Sequence, residues 1–257
     1  MNDILDILRS KFKGIIAQWH DCALPHIPVV TFHNRKVDTH IKPNKNDKYY
    51  ENSAYVSWAA DSDLLQTKQE DGVLSILIDH ANYHPNKDLD FSDIIIKDVA
   101  NFALNIFPEI SKTTKYKKLK IRRLVSGGIE DFDPLNPWID EFNRKGLPYL
   151  EMVQEYNKAD IFISTHHESV GLALLESAMA GVLVLAPKTF INYDIISSLH
   201  HVVFEGGVIP WQYVVAQINP WKSREVASKF TWDSIAQKMI KVFTHGSMPL
   251  PANLIIQ

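Results

Sequence analysis

Short apolar runs alternate with longer amphipathic segments over most of the chain beyond residue 70. Apolar runs of this kind, bounded by glycine, proline or polar residues, are typical of strands that are buried on both faces. The pattern predicts strands at residues 73–78, 119–125, 161–164, 182–186 and 201–204.

The amphipathic segments between these runs predict helices. In the first of them, apolar residues recur at three- and four-residue steps, as on one face of an α-helix. They are Ile95, Val99, Phe102 and Ile106. Ser92 is a suitable N-cap for this helix, and Pro108 is predicted to end it. Further helices are predicted over residues 148–158 and 172–180, and residues 209–243 are predicted to be mostly helical.

Strands that alternate with helices indicate an α/β fold, in which helices cover both faces of a parallel sheet. In such folds ligands bind beyond the carboxyl ends of the strands. The loops after residues 78, 125, 164 and 186 are therefore the places where we expect a site.

The N-terminal part of the chain has a different pattern. Residues 34–53 are polar and have little periodicity, which predicts a long loop or a mobile segment. A second polar stretch, at residues 66–71, precedes the first predicted strand. We therefore expect a domain boundary near residue 70.

Composition and charge narrow the class of protein. The chain has 257 residues, of which 46% are hydrophobic and 22% charged, which is enough for one large domain or two small ones. The formal net charge of −3 gives no overall attraction to nucleic acid or to an anionic membrane. We therefore expect no nucleic-acid partner.

The cellular compartment follows from what the sequence lacks. Cys22 is the only cysteine, so no internal disulfide can form, as is typical of a reducing compartment. Asp3 and Asp6 interrupt the apolar stretch at the N-terminus, unlike in a signal peptide. No apolar run approaches the roughly 20 residues that cross a bilayer. These features predict a cytoplasmic protein and leave a peripheral contact with the inner face of the membrane open.

The candidate chemistry lies in the loop after residues 161–164. Gly171 stands where the next helix is predicted to start, and a helix start offers unpaired N–H groups and partial positive charge to a phosphate. Glycine also lets the backbone approach that phosphate closely. Glu168 and Glu176 flank it, and because carboxylates repel phosphate, they must bind its uncharged neighbours. This arrangement points to a sugar nucleotide.

Several polar residues have more than one interpretation. Glu168 could instead be a partner of the helix dipole, and Glu176 a solvated helix residue. The basic run at residues 112–123 fits an anionic lipid surface, a nucleotide phosphate or a solvated strand start. The histidine pairs at 166–167 and 200–201 chelate poorly, because adjacent side chains in an extended segment point opposite ways. No metal site is therefore expected.

Residues 156–187 carry a resemblance to a known family. This segment resembles the signature of family 4 glycosyltransferases, in the second domain of the GT-B fold. The matching residues are Tyr156, Ala159, Asp160, Glu168, Gly171, Leu172, Glu176, Ala178, Ala180 and Gly181. A looser match of strand and helix order extends over residues 72–245. The resemblance implies a GT-B-like, Rossmann-type parallel sheet.

The resemblance also implies roles for the residues of this segment. Glu168 would act on the transferred sugar, and Glu176 would bind the ribose. The diphosphate would be held by the backbone amides of Val170, Gly171 and Leu172. The nucleotide-sugar site would further be lined by Thr165, His167, Ser169 and, near the base, Tyr149. No metal ion and no cofactor other than the donor substrate is implied.

The sequence departs from the family in its supply of positive charge. The family usually has an arginine and a lysine after the first strand of this domain, where this chain offers only Lys87. The family's Gly-Gly pair after the strand at 182–186 is replaced by 187–190, where Lys188 is either a diphosphate ligand or a surface lysine. Both lysines are candidate nucleotide-sugar ligands.

The N-terminal region is short for a GT-B acceptor domain. Residues 1–70 cannot form a doubly wound domain of the usual size, so they are predicted to be a shortened acceptor-side region, with residues 71–257 as the nucleotide-sugar-binding domain. Residues 14–20 and 27–34 resemble successive strands of an acceptor domain, and residues 55–59 fit a third. His33 would lie near the reacting sugar, or is simply a histidine at a strand end.

These features together predict a retaining glycosyltransferase. It would move a hexose or deoxyhexose from a nucleotide-diphosphate sugar to a hydroxyl of a glycan or glycolipid, as in polysaccharide biosynthesis. Two alternatives stay open: a non-catalytic nucleotide-sugar-binding half that needs a second subunit, and a GT-B-like sugar-nucleotide epimerase. Whether the chain forms a homo-oligomer is left open.

Overall fold

The computed structural model describes residues 17–19, 39–42, 53–55, 59–67, 69–81, 89–126, 139–143, 147–165, 171–188, 196 and 198–245. The chain forms two compact units. The smaller comprises residues 1–59 and 230–257, and the larger comprises residues 60–229. These bounds differ from the division into 1–70 and 71–257, which stays a prediction.

The smaller unit contains a three-stranded parallel sheet. Its strands, in spatial order, are β1 (Ala17–Trp19), β2 (Thr39–Lys42) and β3 (Ser53–Tyr55). The prediction of a strand within 14–20 is confirmed at β1. The predicted loop at 34–53 is wrong at β2, because pairing with strands on both sides stabilises this segment despite its weak apolar pattern. The predicted strand at 27–34 lies outside the described residues.

The larger unit is built on a six-stranded, fully parallel sheet. Its strands are β4 (Val73–Ala81), β5 (Lys118–Ser126), β6 (Ile139–Asn143), β7 (Ile161–Ser164), β8 (Leu183–Pro187) and β9 (His201–Phe204). All five strands predicted beyond residue 70 are confirmed. Only β6 was not predicted, because this edge strand has polar residues at three of its five positions.

The spatial order of these strands is β6-β5-β4-β7-β8-β9. Counted from β4, this is the 3-2-1-4-5-6 order of doubly wound folds, whose ligands bind where the order reverses. Here that point lies beside the carboxyl ends of β4 and β7, which are in register from Ile76↔Ile161 to Asp79↔Ser164. The topology therefore marks the loop after β7 as the expected ligand position.

The helices agree with the predicted pattern. They are α1 (Leu89–Asn101), α2 (Phe107–Thr113), α3 (Tyr149–Lys158), α4 (Leu172–Met179), α5 (Trp211–Gln217), α6 (Pro220–Ala227) and α7 (Trp232–His245). Only α7 belongs to the smaller unit. Among the helices of the described ranges, none is both long and apolar enough to cross a bilayer.

The first predicted helix continues past its expected end. A π-helical turn, Phe102–Ile106, joins α1 to α2, and Pro108 lies in the first turn of α2. The N–H of Phe107 donates to the carbonyl of Phe102, five residues earlier. Proline is tolerated in a first turn because its missing N–H has no partner to lose there. The prediction that Pro108 ends the helix is therefore wrong.

The core of the larger unit lies between its sheet and the helices. The strand residues predicted to be buried, such as Leu74, Ile76 and Ile161, are inaccessible to solvent. Across the core, the rings of Phe102 and Trp211 stack with their centroids 4.0 Å apart. This stack packs the helical turn that follows α1 against α5.

Candidate functional site

The ends of β4 and β7 are tied together at the point where the strand order reverses. The Thr165 hydroxyl donates to the backbone carbonyl of Asp79 at 2.7 Å, and Thr165 is only 1% exposed. Thr165 was predicted to line the nucleotide-sugar site. Its hydroxyl proton is instead donated to the Asp79 carbonyl. It fixes the start of the loop that leads to Gly171.

Gly171 is the N-cap of α4 and has a left-handed backbone, with φ +75°. A Cβ at this position would lie 3.2 Å from Cδ1 of Leu174, closer than ordinary van der Waals contact. The left-handed backbone and the nearby Leu174 side chain therefore favour glycine here, whereas the close approach of a phosphate stays a prediction. The first N–H groups of α4 have no carbonyl of their own helix to bind, so this end suits an anion. Leu172, the first residue of the helix, is partly exposed.

Glu176 lies in the second turn of α4 and is only 8% exposed. Burial raises the pKa of its carboxyl group to about 7, and a hydrogen bond from the Tyr149 hydroxyl opposes part of that rise. Glu176 is therefore not a solvated helix residue. It is a carboxyl group held in a largely dry position close to the start of α4.

Tyr149 is the first residue of α3 and is about half exposed. Burial raises its pKa to about 12, helped by the negative charges of Glu176 and Asp61 and by the hydrogen bond to Glu176. The phenol therefore stays protonated at neutral pH and donates a hydrogen bond to Glu176. Sequence reasoning placed Tyr149 near the base, but it gave no sign of this contact with Glu176.

Asp61 is a further acidic residue, not revealed by the sequence, whose negative charge acts on Tyr149. Its carboxylate accepts hydrogen bonds from the backbone N–H groups of Asp63 and Leu64 at 2.9 and 3.0 Å, which fixes it in a turn. Asp61 precedes the sheet, far from α3 and α4 in the chain. No motif or local spacing could have linked it to Tyr149.

Lys188 follows β8 directly, at the carboxyl ends of the parallel strands. Its ammonium group pairs with Glu205, which follows β9, and both side chains are exposed. An exposed ion pair contributes about 0–1 kcal/mol to stability, so an incoming diphosphate can compete for the lysine at little cost. The role of Lys188 as a phosphate ligand stays a prediction.

The remaining predicted site residues lie outside the described residues. They are His33, Lys87, His167, Glu168, Ser169 and Val170. Their roles therefore stay predictions. Within the described part of the chain, no group of three histidine, cysteine, aspartate or glutamate residues is arranged to hold a metal ion.

A cleft of about 300 Å³ lies beside the residues that precede β5, at the amino end of that strand. Its lining includes Ile110 and Thr113 of α2, Tyr116, and Gln212 and Val215 of α5. The end of α2 that faces it is a C-terminus, which presents carbonyl groups and partial negative charge. Lys115 also lines the cleft, so its lining combines a lysine with the carbonyl end of α2.

Comparison with known proteins agrees with this geometry at the level of the fold. Neither a protein-family model nor a curated protein matches the sequence. Among solved structures, sucrose-phosphate synthase from Thermosynechococcus elongatus matches with a TM-score of 0.62 and 11% identity, over 95% of this chain and 70% of that one. Anabaena Alr3699/HepE, in complex with UDP and glucose, matches with a TM-score of 0.61 and 12% identity, over 95% and 76%.

A third structure, TarM, matches with a TM-score of 0.53 and 15% identity, over 81% of this chain and 44% of that one. These structural neighbours are GT-B glycosyltransferases. At such low identity the likeness shows a shared fold. The predicted fold class, a GT-B-like α/β fold with a Rossmann-type parallel sheet, is confirmed.

Proposed function

We propose that this protein is a glycosyltransferase that uses a nucleotide-diphosphate sugar as its donor. One observation carries the proposal: Gly171 opens α4 at the point where the strand order reverses, with the buried carboxyl group of Glu176 one turn farther along the same helix. The helix start suits the diphosphate, and the carboxyl group suits hydroxyls beside it. A simple phosphate has no sugar hydroxyls to donate to Glu176.

The helix start would also assist the reaction. When the bond between the anomeric carbon and the phosphate oxygen breaks, negative charge develops on the diphosphate. The backbone N–H groups of Val170, Gly171 and Leu172 would donate hydrogen bonds that stabilise this charge. The same groups that bind the donor would thus lower the barrier to its cleavage.

We further propose that transfer occurs with retention of anomeric configuration. The acceptor oxygen would attack the anomeric carbon from the face that the diphosphate leaves, and the acceptor proton would pass to the departing phosphate oxygen. Glu168 would orient the sugar and offset positive charge on its ring, and His33 would lie beside the reacting sugar. No metal ion enters this scheme, because the helix start and the lysines Lys87 and Lys188 would balance the charge of the diphosphate.

The finer assignments belong to the same proposal. The donor sugar would be a hexose or deoxyhexose, and the acceptor a hydroxyl of a glycan or glycolipid in the cytoplasm. UDP is bound in the structure of HepE, which makes it the first nucleotide to test on this chain.

Binding and turnover of the full-length protein would test the proposal. UDP, GDP, dTDP and CMP are first compared by thermal shift, and the sugar donors of the best binder are then incubated with glycan acceptors and analysed by mass spectrometry. We expect one nucleotide to bind and its sugar donor to be hydrolysed or transferred. Binding without turnover would favour the non-catalytic half, and interconversion of sugar nucleotides without an acceptor would favour the epimerase.

A matched pair of glycine variants locates the site. Gly171→Ala should weaken nucleotide binding at least tenfold, because alanine strains the left-handed backbone and its Cβ would lie 3.2 Å from Cδ1 of Leu174, so the start of α4 has to shift. Gly72→Ala is the control: its φ of +73° imposes similar strain, but its Cβ would meet only the Lys115 carbonyl oxygen at 3.8 Å, before β4 and away from the site. Equal nucleotide affinity in the two variants would rule out a diphosphate at the start of α4.

A further inference from the structure

We propose that Tyr149 covers Glu176 in the ligand-free protein, and that the ribose hydroxyls of a bound nucleotide replace the phenol as donors to this carboxylate. The inference rests on the proposed function and adds a residue that sets how tightly the nucleotide binds. Tyr149, which the sequence placed only near the base, would then cover the ribose position and move away when the nucleotide binds.

The difference in exposure between the two partners supports a cover. Glu176 is 8% exposed, whereas Tyr149, which hydrogen-bonds to it, is 46% exposed. Glu176 lies in the middle of α4 between the fully buried residues Leu175 and Ser177. Tyr149 begins α3 and has half of its surface in water, so its ring can change rotamer rapidly and without repacking the core. Moving Tyr149 is therefore the easier way to open the carboxylate.

The exchange of hydrogen-bond donors at Glu176 should favour a ribonucleotide over a deoxyribonucleotide. A carboxylate offers about four acceptor positions, of which a single phenol O–H occupies one. A ribose ring carries two neighbouring hydroxyls, so it can return two hydrogen bonds for the one that is lost. A 2′-deoxyribose returns only one, so the exchange brings it little gain.

The charges around the phenol keep it a hydrogen-bond donor. Asp61 and Glu176 both act on Tyr149, and their negative charges oppose loss of its proton. Tyr149 therefore competes for Glu176 as a neutral O–H group throughout the neutral pH range. Removing that O–H should remove the competition for Glu176 and leave the aromatic ring, which can still change rotamer.

Tyr149→Phe is the direct test. A hydrogen bond of ordinary strength, about 1 kcal/mol, corresponds to roughly a fivefold change in affinity. By calorimetry at pH 8 with UDP, or with the tightest binder among the four nucleotides tested above, Tyr149→Phe should bind about fivefold more tightly than the wild type. Unchanged or weaker binding by Tyr149→Phe would overturn the proposal, because a residue that orients Glu176 or contacts the base gives that result.

Two controls connect the effect to Glu176. Tyr213→Phe removes the hydroxyl of another exposed tyrosine, on α5, and should leave nucleotide affinity unchanged. In a Glu176→Ala background, Tyr149→Phe should no longer tighten binding, since no carboxylate is left to compete for. A gain that persists in that background would also contradict the cover.

A ligand-free measurement separates this inference from the proposed function. Carbon-13 NMR of the Glu176 carboxyl group should show its pKa rising further in Tyr149→Phe, because a donor to the ionised form is lost. An unchanged pKa would show that the pair does not exist, whatever binds. Failure of the wild type to bind any of the four nucleotides would instead refute the proposed function, and with it the exchange of donors, even where the pair itself is confirmed.

Discussion

Glu176 holds a carboxyl group almost completely out of water, which couples its protonation to folding. Burial raises its pKa to about 7 in the folded protein, above the 4.5 expected for the unfolded chain. Between these values the folded state holds a proton that the unfolded state has released. Stability therefore falls as pH rises through this window, and the full cost is present above pH 7.

Replacing Glu176 by glutamine should remove this cost, because the amide stays neutral. Below about pH 4.5 the variant and the wild type should be similarly stable, whereas at pH 8 Glu176→Gln should be more stable by about 1–3 kcal/mol. Urea unfolding at a series of pH values measures the difference. Glu225→Gln, at an exposed position on α6, is the control and should show no such trend. A constant difference between Glu176→Gln and the wild type at all pH values would contradict the burial argument.

For individual residues, the sequence indicated which ones to consider, but it did not show which side chains contact each other. The predicted helix start at Gly171 and the position of Glu176 within that helix agree with the structure, because both follow from local spacing. Their roles as ligands stay predictions. Tyr149 was assigned to the site, but its contact with Glu176 joins two helices and depends on how they pack. Asp61 was missed for the same reason, since only the folded chain brings it near Tyr149.

The elements of the larger unit were largely predictable because most of its strands are buried on both faces. Continuous apolar runs such as residues 161–164 have no other favourable placement in a soluble domain. The two strands that were not predicted, β6 and β2, have polar sequences and are stabilised by pairing with adjacent strands. β6 lies at the edge of the six-stranded sheet, and β2 lies in the middle of the three-stranded sheet. The π-helical turn before Pro108 likewise depends on a hydrogen bond that no local pattern specifies.

The Arg224 side chain makes several of the contacts that hold α6 against the rest of the larger unit. The Arg224 guanidinium donates to the backbone carbonyls of Leu65, of Ser62 at 2.8 Å and of Met179, the last residue of α4, also at 2.8 Å. It therefore satisfies a carbonyl at the C-terminus of α4 and holds the segment that leads into β4. The fork of an arginine can serve three acceptors in different directions, which an ammonium group cannot do with the same geometry.

Arg224→Lys should therefore destabilise the protein although it keeps the charge. Loss of one or two of these hydrogen bonds should cost about 1–3 kcal/mol, because partly buried carbonyls are left without donors. Lys222→Ala, at an exposed position on the same helix, should cost less than about 0.5 kcal/mol. Urea unfolding compares the two variants. If Arg224→Lys is as stable as the wild type, the three contacts do not anchor α6.

For the whole molecule, the strand order decides where a ligand should bind. The sequence predicted parallel strands and covering helices, but it did not fix which strands are neighbours, since that order depends on crossovers between distant segments. The observed order places its reversal beside β4 and β7, next to the start of α4. The cleft of about 300 Å³ between α2 and α5 lies elsewhere in the same unit. Of these two positions, the one beside β4 and β7 combines the start of α4 with the buried carboxyl group of Glu176.

Hydrogen–deuterium exchange with and without a saturating nucleotide should distinguish these positions. A ligand at 100 times its dissociation constant stabilises the folded state by about 2.7 kcal/mol, so backbone amides that it contacts or orders should exchange more slowly. We expect this protection at the N-terminal turns of α3 and α4 and in the loop after β7, because the diphosphate and ribose would bind there. Peptides that cover Thr113–Tyr116 and the end of α5 line the other cleft and serve as the internal control. Protection confined to those peptides would move the ligand to the cleft between α2 and α5, and Gly171 and Glu176 would then have no part in binding it.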